Sequence, residues 1–153
     1  LERSVFLKES TLKKISYKGV VIGSVTDIVT TNILAIPFVV YVMTTRHLGT
    51  LPKDQIAGAL TQVLQNDPVL FSTQLLIGAI CSVLGGYVAA RISNKYELLN
   101  GALASFLCVG FGIYAILSNS SAMPLWQHIA GFIVSPAIAC FGGYIRMKTK
   151  RTD

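Results

Sequence analysis

An all-α, polytopic membrane four-helix bundle is the fold class this sequence predicts, and three observations predict it. Residues 19–42 hold one charge in 24 positions, and residues 69–90, 98–117 and 125–145 hold none in 22, 20 and 21. Charged residues make up 13% of the chain, against about a quarter in ordinary soluble domains. The 13 Lys and Arg and the 7 Asp and Glu are confined almost wholly to the intervals between these stretches.

Each apolar stretch reaches the roughly 20 residues that a helix rising about 1.5 Å per residue needs to cross about 30 Å of hydrocarbon. Lipid offers the backbone no hydrogen bonds, so each span has to satisfy its own N–H and C=O groups as a helix. A buried soluble four-helix core would still need polar outer faces, which these stretches lack. A single integral-membrane domain over residues 1–153 is therefore expected, with spans at 19–42, 69–90, 98–117 and 125–145.

Charge placement predicts the orientation. Residues 1–18 carry five basic side chains against two acidic, and the tail after residue 145 carries four against one. The segment between the second and third spans has Arg91 and Lys95 against Glu97, the first loop is balanced, and residues 118–124 are uncharged. Because Lys and Arg are retained in the cytoplasm, both termini and the second loop are expected inside, and the first and third loops outside. The basic excess then serves topology and contact with anionic lipid headgroups, with no nucleic-acid partner expected. The first span exceeds a signal-peptide core and no small-residue cleavage pattern follows it, so it is expected to persist as a helix.

Ahead of the first span, Leu12 with Ile15 and Lys14 with Lys18 have the spacing of a short helix at the cytoplasmic interface. The first span itself is chemically unusual. Asp27 lies about 12 Å from its start, where an ionised carboxylate is costly without a partner, water or a proton. Asp27, Thr30, Thr31 and Leu34 share a side through i+3 and i+4 spacing, and Asn32 adds a further polar group. Two readings compete for Asp27, Thr30, Thr31 and Asn32: packing glue, with Asp27 protonated or hydrogen-bonded to nearby hydroxyls and Asn32, or a proton or substrate site. Pro37 removes one helical hydrogen bond in the upper half.

In the first outer loop Thr50 is placed to cap a helix whose first turn holds Leu51 and Pro52. Ile56, Leu60, Val63 and Leu64 then recur on one side until Asp67 and Pro68 end it. This predicts a short amphipathic outer helix.

The remaining spans carry small residues at four-residue spacing: Gly78, Ser82, Gly86 and Ala90 in the second, and Gly131, Ser135, Ala139 and Gly143 in the fourth. The third contributes Gly101, Ser105, Cys108 and Gly112. Such ridges allow close helix approach where packing, rather than water expulsion, drives association. Both even-numbered spans end in a double glycine, a tyrosine and a basic residue (85–91 and 142–146), a similarity that shared interface chemistry or duplication of a helical hairpin explains equally well. Pro136 interrupts the fourth span and frees the carbonyl of Phe132. The three cysteines, one in each of the last three spans and none at CxxC spacing, read as small packing residues.

No Walker A loop, dinucleotide fingerprint or HExxH pair occurs, the two histidines fall in outer segments, and no nucleophile and base are paired. Neither an enzyme nor a cofactor or metal is expected. The run Val83-Leu84-Gly85-Gly86-Tyr87-Val88-Ala89-Ala90-Arg91-Ile92, with Glu97-Leu98-Leu99-Asn100-Gly101-Ala102-Leu103 after it, resembles a pattern in small bacterial multi-pass inner-membrane proteins of uncharacterised function. The resemblance covers about the middle third of the chain and implies a bacterial cytoplasmic-membrane setting without a defined activity. The leading functional expectation is a non-enzymatic accessory or structural subunit that packs with a larger membrane complex or self-associates. The alternative is a small oligomeric transporter or channel-like protein that uses Asp27.

Overall fold

The computed structural model describes residues 15–118 and 125–150. Regular structure among them is helical throughout: α1 (Tyr17–Thr45), a 3-10 turn (Leu48–Thr50), α2 (Lys53–Asn66), α3 (Pro68–Ser93), α4 (Glu97–Ala104), α5 (Phe106–Leu117) and α6 (Leu125–Lys150). Among the described residues four helical passes are long and apolar enough to cross a membrane: α1, α3, α6, and α4 with α5 taken in succession. Large apolar side chains such as Ile33, Leu75, Leu117 and Ile133 point away from the protein, as they can when lipid is the solvent. The interfacial helix expected in residues 1–18 falls, up to residue 14, outside the described residues, as does most of the third loop. Ser16 opens α1, its Oγ accepting from Gly19 N at 3.2 Å, and Lys18 already lies within that helix.

Successive passes run antiparallel, and α1 and α6 lie on opposite sides of a central pair formed by α3 and α4. One end of the bundle carries Arg91, Lys95 and the basic last turn of α6, where Lys150 Nζ donates to Asn94 O and Glu97 Oε1 at 3.1 and 3.3 Å. At this basic end the helices meet backbone to backbone. A Cβ at Gly23 would lie 2.7 Å from Gly85 O, and one at Gly86 would overlap the Ala139 carbonyl. Gly143 sits on the Glu97 carbonyl in the same way.

The expected continuous ridges are divided. Residues four apart on a helix advance by about 40°, so Gly78 and Ala90 differ by about 120° and cannot face one neighbour. Gly86 packs on α6 and Ser82 faces α1, while Gly78 and Gly131 have open space where a Cβ would go. The α1–α3 contact uses other rows, Gly19 and Gly23 against Gly85 and Ala89. The double glycines are not equivalent in packing either: Gly85 turns to α1, whereas its sequence counterpart Gly142 turns to the Val83 carbonyl of α3.

At the other, far end, α2 is the expected amphipathic helix. Its Leu64 joins Val42, Leu48 and Leu70 in a core that ties α1 to α3, with Leu60 and Val63 packed against it. Thr50 is not its cap. Pro52 precedes the first helical residue, leaving Thr50 too far back, and its Oγ1 donates instead to His47 O at 2.8 Å. His47 makes the turn with φ of 53°.

Asp67 closes this end. Its Oδ1 accepts from Val69 N and Leu70 N at 3.0 and 3.3 Å, capping α3 ahead of Pro68, and its Oδ2 pairs with Arg46 at 2.6 Å. Exposed ion pairs contribute about 0–1 kcal/mol, whereas a lost cap costs about 1 kcal/mol. Asp67→Ala should therefore lower stability to chemical denaturation in detergent by more than Arg46→Ala does. Equal losses would mean that the ion pair, rather than the cap, holds this junction.

The third pass is broken at Ser105. Its N–H reaches back three residues to Ala102 O at 3.3 Å, and its Oγ donates to the same carbonyl at 2.9 Å. The Ala104 carbonyl lies 2.5 Å from Ser24 Oγ of α1. Hydroxyl bonds of this kind to helix carbonyls bend a helix. Before the break, Asn100, Gly101 and Ala104 are buried against the neighbouring helices; beyond it, no described side chain of α5 is buried.

Candidate functional site

Four polar side chains are buried among the described helices, Ser24, Asp27, Asn100 and Ser105; the two serines donate to helix carbonyls, and Asp27 and Asn100 are held in contrasting ways. Asn100 is 0% exposed and receives short bonds: its Oδ1 accepts from Ser16 N at 2.8 Å, and its Nδ2 donates to Lys95 O and Tyr96 O at 2.9 and 3.1 Å. These bonds lock the start of α1 onto the turn before α4. The position was missed in the sequence because a lone Asn at the head of an apolar span has no local partner to mark it.

Asp27 is 4% exposed and lies where α1, α3 and α5 converge. Thr31 Oγ1 donates to its Oδ1, and Ser82 Oγ and Cys108 Sγ donate to its Oδ2, each at 3.4 Å. For hydroxyl donors this is long, since such bonds normally measure about 2.5–3.0 Å. The ion pairs among the described residues, Arg46 with Asp67 and Lys150 with Glu97, are at the two ends of the bundle. Among the described residues no basic side chain is paired with Asp27.

The structure brings together only part of the polar set expected in the first span. Thr31 faces the carboxylate. Thr30 instead donates to its own helix, with Oγ1 2.7 Å from Thr26 O and 3.1 Å from Asp27 O. Asn32 is exposed and its Nδ2 donates to Ile28 O at 2.8 Å, so it does not reach the carboxylate. An offset of five residues turns it about 140° away from Asp27. Ser82 and Cys108 take the places assigned to Thr30 and Asn32. Both belong by sequence to small-residue packing rows, and no sequence signal connects them to Asp27, because the register between helices is set by contacts such as Gly85 on Asp27 and Ser24 on the Ala104 carbonyl, which no single span announces. Cys81, by contrast, is fully buried in keeping with the packing reading.

A cleft of about 220 Å³ runs between α5 and α6, from Gln127 and His128 to Ser135 and Cys108. Cys108 thus touches both the carboxylate and the cleft. The Phe132 ring lies across Gly112 midway, where a Cβ on that glycine would come within 2.7 Å of Cε1. A larger recess of about 590 Å³ lies at the far end beside Arg46, Gln62 and Asn66, remote from the buried carboxylate. Among the described residues no three His, Cys, Asp or Glu side chains gather as metal ligands would.

The chain matches no protein-family model, no curated protein and no solved structure.

Proposed function

We propose that the chain is a small transporter or channel-like membrane protein whose working centre is Asp27, a carboxylate that takes up and releases a proton within the bilayer. The observation that supports this is the contrast between the buried side chains of Asp27 and Asn100. Asn100 is tied by short bonds, as a structural group is. Asp27 meets three side chains from three helices at 3.4 Å, and a charge in the membrane that is neither paired nor tightly bonded marks a functional position by default.

The surroundings favour a proton over a metal cation. Hard cations such as calcium take about 6–8 oxygen ligands, and Asp27 is met by only two hydroxyls and a thiol. The titratable group facing it is Cys108 of α5; α1 and α3 contribute hydroxyls. Four passes are few for a complete alternating-access machine, so the reading includes assembly from more than one copy. The charge distribution favours both termini and the basic end facing the cytoplasm, and the middle-third resemblance favours a bacterial cytoplasmic membrane.

The test is proton flux into vesicles containing the reconstituted protein, followed with an entrapped pH-sensitive dye. Asp27→Asn, which keeps the shape and removes the titratable proton, should reduce flux to that of protein-free vesicles, and Asp27→Glu should retain part of it. Flux that is unchanged in Asp27→Asn across pH would exclude the carboxylate as the proton site.

A second reading, a non-enzymatic accessory subunit or self-associating protein, is favoured by one observation. Gly78, Gly110 and Gly131 have open space where a Cβ would go, although small residues in membrane helices ordinarily serve close helix contact. Recovery of a stoichiometric partner after mild detergent extraction, with flux unaffected by Asp27→Asn, would select this reading.

A further inference from the structure

Building on the reading of Asp27 as a proton site, we propose that the cleft between α5 and α6 is the path by which this carboxylate exchanges protons with water at the far end of the bundle, with Phe132 as its constriction. Three features of the molecule lead there.

The first is continuity. Cys108 lines the cleft, and its Sγ is 3.4 Å from Asp27 Oδ2, so Cys108 stands between the inner end of the cleft and the carboxylate. From Gln127 to Ser135 the path descends along α6 by about 12 Å at the usual helical rise. The second is polarity. Gln127 and His128 at the mouth and Ser135 at the inner end offer hydrogen-bonding groups, and about 220 Å³ is room for several waters, each of which takes about 30 Å³ in the liquid. The middle of the path is apolar, and there the Phe132 ring bears on Gly112, interrupting a file of water until the ring turns.

The third feature is the seal on the other side. Toward the basic end, Asp27 is followed by the contact of Gly23 with Gly85 and Ala89 and then by that of Gly19 with Ala89. The buried Ser24 and Asn100 there are already hydrogen-bonded. These contacts close the α1–α3 seam toward the basic end and bond α1 to α4 there, whereas the cleft beside Cys108 opens toward the far end. On release, the carboxylic O–H bond breaks and the carboxylate keeps the electron pair; Cys108 Sγ takes up that proton as its own S–H proton passes to a water in the cleft, so the thiol is restored and hydronium forms. Uptake is the reverse.

Cys108 makes the path measurable without any flux. The full chain carrying Cys81→Ala and Cys140→Ala, with Cys108 as its only thiol, is placed in phospholipid vesicles. It is exposed on one side to a charged, membrane-impermeant methanethiosulfonate reagent. Lys53→Cys and Lys95→Cys in a cysteine-free background identify the far and basic sides. Cys108 is expected to react only from the Lys53 side, severalfold faster in Phe132→Ala and severalfold slower in Gly131→Leu. The leucine enters open space beside the cleft, so that variant should fold. Reaction from the Lys95 side, reaction with a lipid-soluble maleimide alone, or rates indifferent to Phe132→Ala and Gly131→Leu would each overturn the path. Because labelling needs no transport, a failed path and a failed role for Asp27 are separate results: the first appears in these rates, the second in the flux of Asp27→Asn.

Discussion

Gly86→Leu is expected to drive α3 and α6 apart and to abolish the compact bundle. Even the first atom of the new side chain would overlap the Ala139 carbonyl. That obstacle is backbone in the middle of a helix, so it cannot swing aside as the end of a long side chain can. Overpacking usually costs about 1–3 kcal/mol, and this site belongs at the upper end or beyond, because the same carbonyl also lies 3.0 Å from where a Cβ on Gly101 would be. A shift of α6 would therefore disturb α4 as well. The comparison is Gly78→Leu on the same helix, where a Cβ meets nothing within 4 Å. Size-exclusion profiles and crosslinking between α3 and α6 should collapse for Gly86→Leu and stay at parental values for Gly78→Leu. A parental profile for Gly86→Leu would mean that the α3–α6 contact described above is not formed in the membrane.

Substitution of Asn100 should produce the second large effect. Asn100→Leu keeps much of the volume but strands the Ser16 N–H and the Lys95 carbonyl, each at a cost of about 1–3 kcal/mol when buried. Asn100→Asp is the sharper probe. It retains the acceptor for Ser16 N but loses both donors, turning a carboxylate oxygen toward the carbonyls of Lys95 and Tyr96 that Nδ2 now serves. Both variants should unfold at lower denaturant concentration in detergent, with Asn100→Asp at least as impaired as Asn100→Leu. The proton flux assigned to Asp27 should fall only in proportion to the folded fraction. If Asn100→Asp were as stable as the parent, the short bonds at this position would contribute nothing to holding α1 in place.

The spans were legible because partition between lipid and water is decided locally. Residues 69–90 and 125–145 fall inside α3 (Pro68–Ser93) and α6 (Leu125–Lys150), and the periodicity of Ile56, Leu60, Val63 and Leu64 located α2. What was not legible depends on the register between helices. Gly86 and Ala139 were both singled out, yet nothing in either span says that one bears on the other. The Gly19 and Gly23 pair was visible as a close-approach spacing but was passed over beside the longer ridges. Cys108 meets Asp27 because Ser16 and Ser24 hold Asn100 and the Ala104 carbonyl of the third pass, contacts that neither span announces. The break at Ser105 was hidden for a related reason: its cause includes a hydroxyl on α1, about eighty positions away in the chain.

That break has a consequence for the kind of bilayer the protein suits. At about 1.5 Å per residue, α1 with 29 residues and α3 and α6 with 26 each are about 39–44 Å long, well beyond the roughly 30 Å of hydrocarbon they have to cross. They can match thicker membranes by changing tilt. The third pass, built from helices of 8 and 12 residues on either side of Ser105, is only about 31 Å long and has no slack. Its first half is anchored by Asn100 and Gly101, so any mismatch falls on α5, one wall of the cleft that Cys108 lines. Membrane thickness thus bears on this protein mainly through one element. A lengthening acyl chain pulls on α5 while the three longer helices adjust by leaning.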